Sequence, residues 1–275
     1  MATERLLTPS KISAWLECAH SLNLRNQVDA GLRDFTIAPM NPLAELLADK
    51  GLSHERRCLQ DFEDRGLFVY HVPGRNPDEN FAEWVARIGN PLEQGYDVIY
   101  QMPFVHEGIR GIADFLIKVD EPHDGYATYE PIDAKLTRSE GKPGHVLQLC
   151  FYADAIETLT GAPSRSMHLW LGSGDLETLL VEQFRPYWRR LRRQLEVLLE
   201  QSAEIIDTQP QPCSHCETCD FQMTCEREWR ANDSLVYVAN IRQPDRLALE
   251  AAGVRTVVQL AHHEDDVHDL HQENR

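Results

Sequence analysis

YDVIYQMPFVHEGIRGIADFLIKV (Tyr96–Val119), followed by YATYEPIDAKL (Tyr126–Leu136), is the stretch that decides the fold. The first run predicts a hairpin, Tyr96–Val105 and Ile109–Val119, folded about His106-Glu107-Gly108 by turn chemistry and apolar content. The second, entered through the polar turn Asp120–Gly125, predicts a further strand. These strands carry acids where a purely structural strand avoids them. Asp114 sits inside the apolar Gly111–Leu116, and Asp133 and Lys135 lie two apart, so both leave one face.

Working outward, Thr8-Pro9 reads as an N-cap with proline at the first helical position, opening one helix that carries Ile12, Trp15, Leu16, Leu22 and Leu24 to about Asp29–Gly31. A second helix is predicted from Pro42 to Arg65, with Leu43, Leu46, Leu47, Leu59 and Phe62 inward. Leu67–Val72 reads as a strand and Glu79–Ile88 as a short helix. Beyond the acidic strands come a helix over Gly144–Thr160, strands over Ser166–Leu171 and Glu177–Phe184, and a long helix over Pro186–Ile206. A Pro/Gln stretch, Gln209–Pro212, introduces clustered cysteines, and Ser234–Ala261 reads as a small helical appendage. The order of elements predicts an α/β fold, a mixed sheet flanked by helices. The expected domains are 1–230, with sheet and cysteines, and 231–275, a small helical region with an acidic, His-rich tail.

Composition narrows the class. The 275 residues include 27 Lys+Arg and 44 Asp+Glu, a net charge of −17, which argues against broad attraction to nucleic acid. No apolar run approaches the roughly 20 residues of a membrane span, and the first residues lack a signal peptide's basic flank. The expectation is a cytoplasmic protein with no membrane partner. Locally the balance reverses, because Arg185–Arg193 holds five arginines in nine residues. A basic helix with aromatics can track a single strand, and it can equally be a solvated face paired at i,i+4 with Glu196 and Glu200.

The chemistry suggested by the acidic strands is metal-assisted phosphodiester hydrolysis. Carboxylates hold Mg²⁺ or Mn²⁺, the metal lowers the pKa of a bound water, and a lysine stabilises charge at the phosphate. Alone, an Asp-x-Lys tripeptide is equally an ordinary ion pair. His54 and Glu55 in the second helix can complete and support a metal's coordination. Gln148 and Tyr152, four apart, share one helix face toward the phosphate backbone or the lysine. Singly, His54 and Tyr152 read as structural.

Of seven cysteines, Cys216-x2-Cys219-x5-Cys225 offers three thiolates to one metal centre. Spacing leaves the fourth ligand open between local Cys213 or His215, which would make a zinc knuckle, and distant Cys18. Cys58 and Cys150 read as core residues.

In order along the chain, His54-Glu55, Asp114, Asp133-x-Lys135 and Gln148-x3-Tyr152 resemble the motifs of RecB-type nucleases in the PD-(D/E)xK superfamily, over roughly residues 8–230. The resemblance implies a restriction-endonuclease-like fold. It also implies His54, Asp114 and Asp133 as Mg²⁺ or Mn²⁺ ligands, Lys135 as catalytic lysine, Glu55 as a neighbour, and Gln148 and Tyr152 as supports of the site and the DNA. Members with an iron–sulfur staple, as in AddB-type and CRISPR-adaptation nucleases, use one upstream and three downstream cysteines, which implies a 4Fe-4S cluster on Cys18, Cys216, Cys219 and Cys225. Zn²⁺ remains the alternative because Cys213 is left over. The segments Tyr129–Leu136 and Leu147–Ala153 are similar to bacterial predicted RecB-family nucleases whose nuclease module precedes an RNase H-like domain. Here the sequence ends after the helical region, so a fragment, a split gene or a partner protein is implied. The expected function is a metal-dependent exodeoxyribonuclease acting on single-stranded DNA or free ends. The rival is a non-catalytic, metal-stapled module that binds nucleic acid or protein.

Overall fold

The computed structural model describes residues 7–34, 42–119, 125–137, 143–200 and 208–264. The expected turn at 120–124, the helix end at 201–206 and most of the acidic, His-rich tail lie outside the described residues. In chain order the elements are α1 (Pro9–Glu17), α2 (Ala19–Asp29), α3 (Pro42–Asp64), β1 (Val69–His71), α4 (Phe81–Ile88), β2 (Val98–His106), β3 (Ile109–Lys118), β4 (Tyr129–Lys135), α5 (Pro143–Thr160), β5 (Ser166–Leu171), β6 (Leu176–Leu180), α6 (Val181–Glu200), α7 (Gln222–Ala231), α8 (Gln243–Ala251) and α9 (Val257–Ala261). Short 3₁₀ turns lie at Pro91–Gln94, Ser214–Thr218 and Leu235–Tyr237. No helix among the described residues is long and apolar enough to cross a membrane.

The chain packs as two compact units, residues 1–13 with 40–202, and residues 14–39 with 203–275. The first holds a six-stranded mixed sheet in the order β1-β2-β3-β4-β5-β6. β2–β3, β3–β4 and β5–β6 are antiparallel, while β1–β2 and β4–β5 are parallel. Parallel neighbours need a crossover, supplied by the segment containing α4 for one pair and by α5 for the other. A six-stranded mixed sheet flanked by helices fits the restriction-endonuclease-like expectation. The hairpin turns at Glu107 (φ 46°) and Gly108 (φ 74°), both left-handed as a two-residue type I′ turn requires. Leu7 runs beside it, its N–H bonding Gly108 O at 2.9 Å and its carbonyl taking the Arg110 N–H at 2.8 Å.

α3 covers one face of this sheet: Cys58 and Phe62 pack with Val98, Phe115 and Ile132, flanked by Tyr100, Ala134 and Trp170. The C-terminal half of α3 therefore behaves as its spacing predicts. Leu46 and Leu47 do not, being 49% and 51% exposed; the helix runs 23 residues and its first turns carry their leucines to solvent.

Two other expectations change. The single N-terminal helix is two, broken at Cys18, whose backbone is extended (φ −153°, ψ 97°) and N-caps α2. Cys18 N–H still bonds Ala14 O at 2.7 Å, so α1 closes before the chain turns. The last strand stops at Leu180 rather than Phe184, and α6 starts at Val181 with Pro186 in its interior. The reason is pairing: Leu180 meets Ser166, the first residue of β5, so the chain beyond has no strand to follow.

The second unit is helical. Leu24, Phe221, Cys225 and Trp229 form one core, and Leu235, Leu249 and Val254 another. Residues 14–39 and 203–230, grouped from sequence with the sheet, pack in this unit with the helical appendage.

Candidate active site

The β3–β4 register pairs Phe115 with Ile132; carried one residue further it sets Asp114 opposite Asp133. Ile132 and Ala134 join the core under α3, so alternation sends Asp133 and Lys135 to the other face. Asp133 is fully buried, and Lys135 Nζ lies 2.7 Å from its Oδ2 as an ion pair. Asp114 accepts the Ala134 N–H at 2.9 Å.

Burial, and then the charge of Asp133, push Asp114 up to about 7, against Lys135 and the Ala134 N–H, which pull it down. Burial also raises Asp133, although Lys135 opposes it. For Lys135, burial alone would depress the ammonium, but Asp133 and Asp114 outweigh it and hold the group above its ordinary value. Two facing carboxylates with one ammonium carry surplus negative charge in a poorly solvated place, which a divalent cation would relieve.

From α3, Glu55 Oε1 accepts from Tyr100 Oη at 2.7 Å and from Gln101 Nε2 at 2.5 Å. Burial, then Asp114, raises its carboxyl. His54 is brought to the sheet but not onto the carboxylates. Its Nε2 donates to Trp170 O at 3.0 Å, and Nδ1 faces Cys58 Sγ at 4.0 Å. Among the described residues, no three His, Cys, Asp or Glu side chains are arranged as ligands of one metal ion.

Gln148 and Tyr152 share a face of α5 as their spacing predicts, with Gln148 Nε2 donating to Tyr152 Oη at 3.1 Å. Tyr152 Oη in turn donates to Ile112 O at 2.6 Å. Burial, then Asp133, raises the phenol well above its usual value, so it stays a neutral donor beside the acids. Gly111 allows this approach: a Cβ there would lie 2.9 Å from Phe151 Cε1 and 3.0 Å from Tyr152 Cε1.

In the helical unit, Cys18 comes from the opposite end of the sequence to the neighbourhood of Cys219 and Cys225, whose thiols feel its charge and that of Cys216. Cys225 is buried and pushed up to about 12, first by burial. Cys216 and Cys219 are raised by the same cause. Backbone N–H groups point at two sulfurs, Phe221 at Cys219 Sγ and Cys213 at Cys216 Sγ, both at 3.4 Å. Cys213 Sγ is also 3.8 Å from Cys216 Sγ. Cys58 and Cys150 are buried core residues, each raised to about 12 by burial.

Sequence reasoning missed Tyr100, Gln101, Arg75 and Arg110. Gln101 sits opposite Asp114 in the β2–β3 register, with a left-handed backbone (φ 62°). A polar residue inside an apolar strand was the available signal. The arginines of α6 proved partly committed: Arg192 pairs with Glu107, with Asp154 at 3.1 Å and with Glu196 at 3.8 Å, and Arg185 pairs with Glu157 at 2.9 Å.

Residues 8–226 match the family described as the PD-(D/E)XK nuclease superfamily. No curated protein matches the chain.

Proposed function

The chain belongs to the PD-(D/E)XK nuclease superfamily, and from that premise we propose that it is a RecB-type, divalent-metal-dependent deoxyribonuclease acting on DNA with single-stranded character or free ends. The observation that carries the reading is Asp133: fully buried, ion-paired with Lys135, and facing a second carboxylate. Such a carboxylate fits a cation's donor set better than it fits a core. Asp114, Asp133 and His54 would hold Mg²⁺ or Mn²⁺, His54 in exchange for its bond to Trp170 O. The bound metal supplies a water of lowered pKa and offsets charge at the phosphate.

The chain's own residues do the rest. Lys135 presents a full ammonium beside the reacting phosphate, where charge develops in the transition state. Glu55, fixed by Tyr100 and Gln101, accepts a proton or orients water beside Asp114. Tyr152 and Gln148 hold β3 and the strand's approach in register. In this reading residues 1–230 carry the nuclease domain with its cysteines, and 231–275 the helical region. A 4Fe-4S cluster on Cys18, Cys216, Cys219 and Cys225 staples the helical unit, with the gathering of these thiols in support.

The test is cleavage of end-labelled single and double strands with Mn²⁺. Wild type degrades them, favouring single strands. Lys135→Ala and Asp133→Ala lose about 10²-fold or more. The commitment of His54 to Trp170 O favours a second reading, a non-catalytic binding module. A wild type that cuts nothing, while Asp133→Ala binds DNA equally well, would establish it.

A further inference from the structure

Between β3 and α5 lies a cavity of about 560 Å³ whose lining includes Arg75, Phe81, Arg110, Ile112, Gln148 and Tyr152. It is joined to the candidate site through Ile112, two residues before Asp114 on β3, and through Tyr152, whose Oη donates to Ile112 O at 2.6 Å. Among the described residues, no acidic side chain lines it. That is notable in a chain of net charge −17, whose clustered arginines on α6 are partly tied into ion pairs.

The two arginines of this cavity have no carboxylate bound to them among the described residues. The Arg110 guanidinium lies over the Phe81 ring, 5.2 Å from its centroid and within the roughly 6 Å reach of a cation–π contact. That stacking orients its plane and leaves its N–H edges for an anion. Arg75 is exposed at the rim. Glu79, which feels Arg75 electrostatically, is committed to Arg87 by hydrogen bonds at 2.7 and 2.9 Å. Trp84 backs the cavity rather than opening to it, 6% exposed and donating to Pro73 O at 2.9 Å. The remaining wall is fixed by the Leu7 pairing with the hairpin and by the Tyr152–Ile112 bond.

We infer that this cavity seats one strand of DNA next to the scissile bond, with Arg75 and Arg110 gripping its backbone phosphates. The occupant follows from the chemistry on the wall. Two guanidiniums with no carboxylate bound to them among the described residues ask for a doubly anionic or repeated anionic group, and a volume of about 560 Å³ takes a small-molecule-sized body such as one nucleotide, not a stacked pair of strands. The aromatic wall beneath Arg110 gives the sugar and base an apolar floor. The inference rests on the nuclease reading for its direction, since it places the strand beside Asp133 and Lys135.

Two measurements on the full chain separate the two claims. Binding of a fluorescent oligothymidylate is followed by anisotropy without divalent metal over a series of salt concentrations. Cleavage of the same strand is followed with Mn²⁺. Arg75→Ala and Arg110→Ala should each weaken binding by about threefold to tenfold, and each should lower the log–log salt slope by about 0.7, one phosphate contact on a single strand. In cleavage they should raise KM by the same factor and leave kcat within about twofold. Arg110→Lys should restore the slope but only part of the affinity. Lys118→Ala, an exposed cation outside the cavity, should change nothing. Wild-type affinity and slope in the Arg75→Ala/Arg110→Ala double variant overturn the cavity while leaving the nuclease reading intact. A wild type that binds the strand through both arginines yet never cleaves it sinks the nuclease reading and leaves the cavity standing. Because Arg75 is exposed, its variant is a test that misfolding does not confound.

Discussion

At the scale of single residues, the pair Asp114–Asp133, to which the proposed chemistry is assigned, carries a stability cost. Asp114 is raised from 3.8 to about 7, so the folded chain holds a proton that the unfolded chain has released. Between about pH 4 and pH 7 the folded state therefore binds more protons, and stability contributed by this group falls as pH rises. Above that window the full penalty, of order a few kcal/mol, persists in metal-free protein. Asp114→Asn removes the charge and keeps an acceptor for the Ala134 N–H. Its urea midpoint should exceed that of metal-free wild type at pH 8 and match it at pH 4, and Mn²⁺ should raise only the wild type at pH 8. Parallel curves for the two proteins would refute the assignment. Asp114, Asp133 and Lys135 were legible in the sequence because charge inside an apolar strand is conspicuous. Gln101 was legible in principle, since a two-residue turn at Glu107-Gly108 fixes it opposite Asp114. Arg75 was not, because only folding brings the loop before α4 to the wall of a cavity built from β3 and α5.

At the scale of elements, the contact between β3 and α5 positions the site, and Gly111 is where it closes. A Cβ at that position would sit 2.9 Å from Phe151 Cε1, 3.0 Å from Tyr152 Cε1 and 3.2 Å from Tyr152 Oη. Both rings are buried, so neither can swing away without moving α5. Gly111→Val should therefore cost about 1–3 kcal/mol by overpacking. It should also disturb the Tyr152–Ile112 bond, reducing cleavage more than the stability loss explains at a temperature where the variant is folded. Circular dichroism melts beside cleavage rates check this, and an unchanged melt would show that the helix yields easily. The hairpin was legible because its turn residues impose one geometry. The ends of α1 and β6 were not, for reasons outside the local pattern. Periodicity ran straight through Cys18, where the chain breaks to form an N-cap, and the apolar run to Phe184 outlasted the strand that β5 could pair.

At the scale of the whole chain, a charge of −17 and seven cysteines acquire separate meanings. The charge is an average: ion pairs consume arginines on α6, while the cavity between β3 and α5 keeps two of its own. The cysteines bear on connectivity. The helical unit is assembled from residues 14–39 and 203–275, so residues 40–202 of the sheet unit are inserted within it in sequence. The proposed cross-link from Cys18 to Cys216–Cys225 would close a loop around the sheet, and loop-closure entropy for so long a span is on the order of 5 kcal/mol. That stabilisation would fall on the helical unit, whose buried core contains Cys225 itself. Cys225→Ser should bleach the brown chromophore of anaerobically purified protein and open a separate, earlier unfolding transition, with the sheet melting later. Cys213→Ser decides between metals. A cubane on Cys18 leaves Cys213 spare and the variant keeps its colour, whereas a zinc knuckle that takes Cys213, 3.8 Å from Cys216 Sγ, as its fourth ligand loses its metal without it, and one closed by His215 loses it in His215→Ala. Protein containing zinc and no iron, destabilised by Cys213→Ser but indifferent to Cys18→Ser, would overturn the iron–sulfur assignment and with it the closure of the sheet within one long loop.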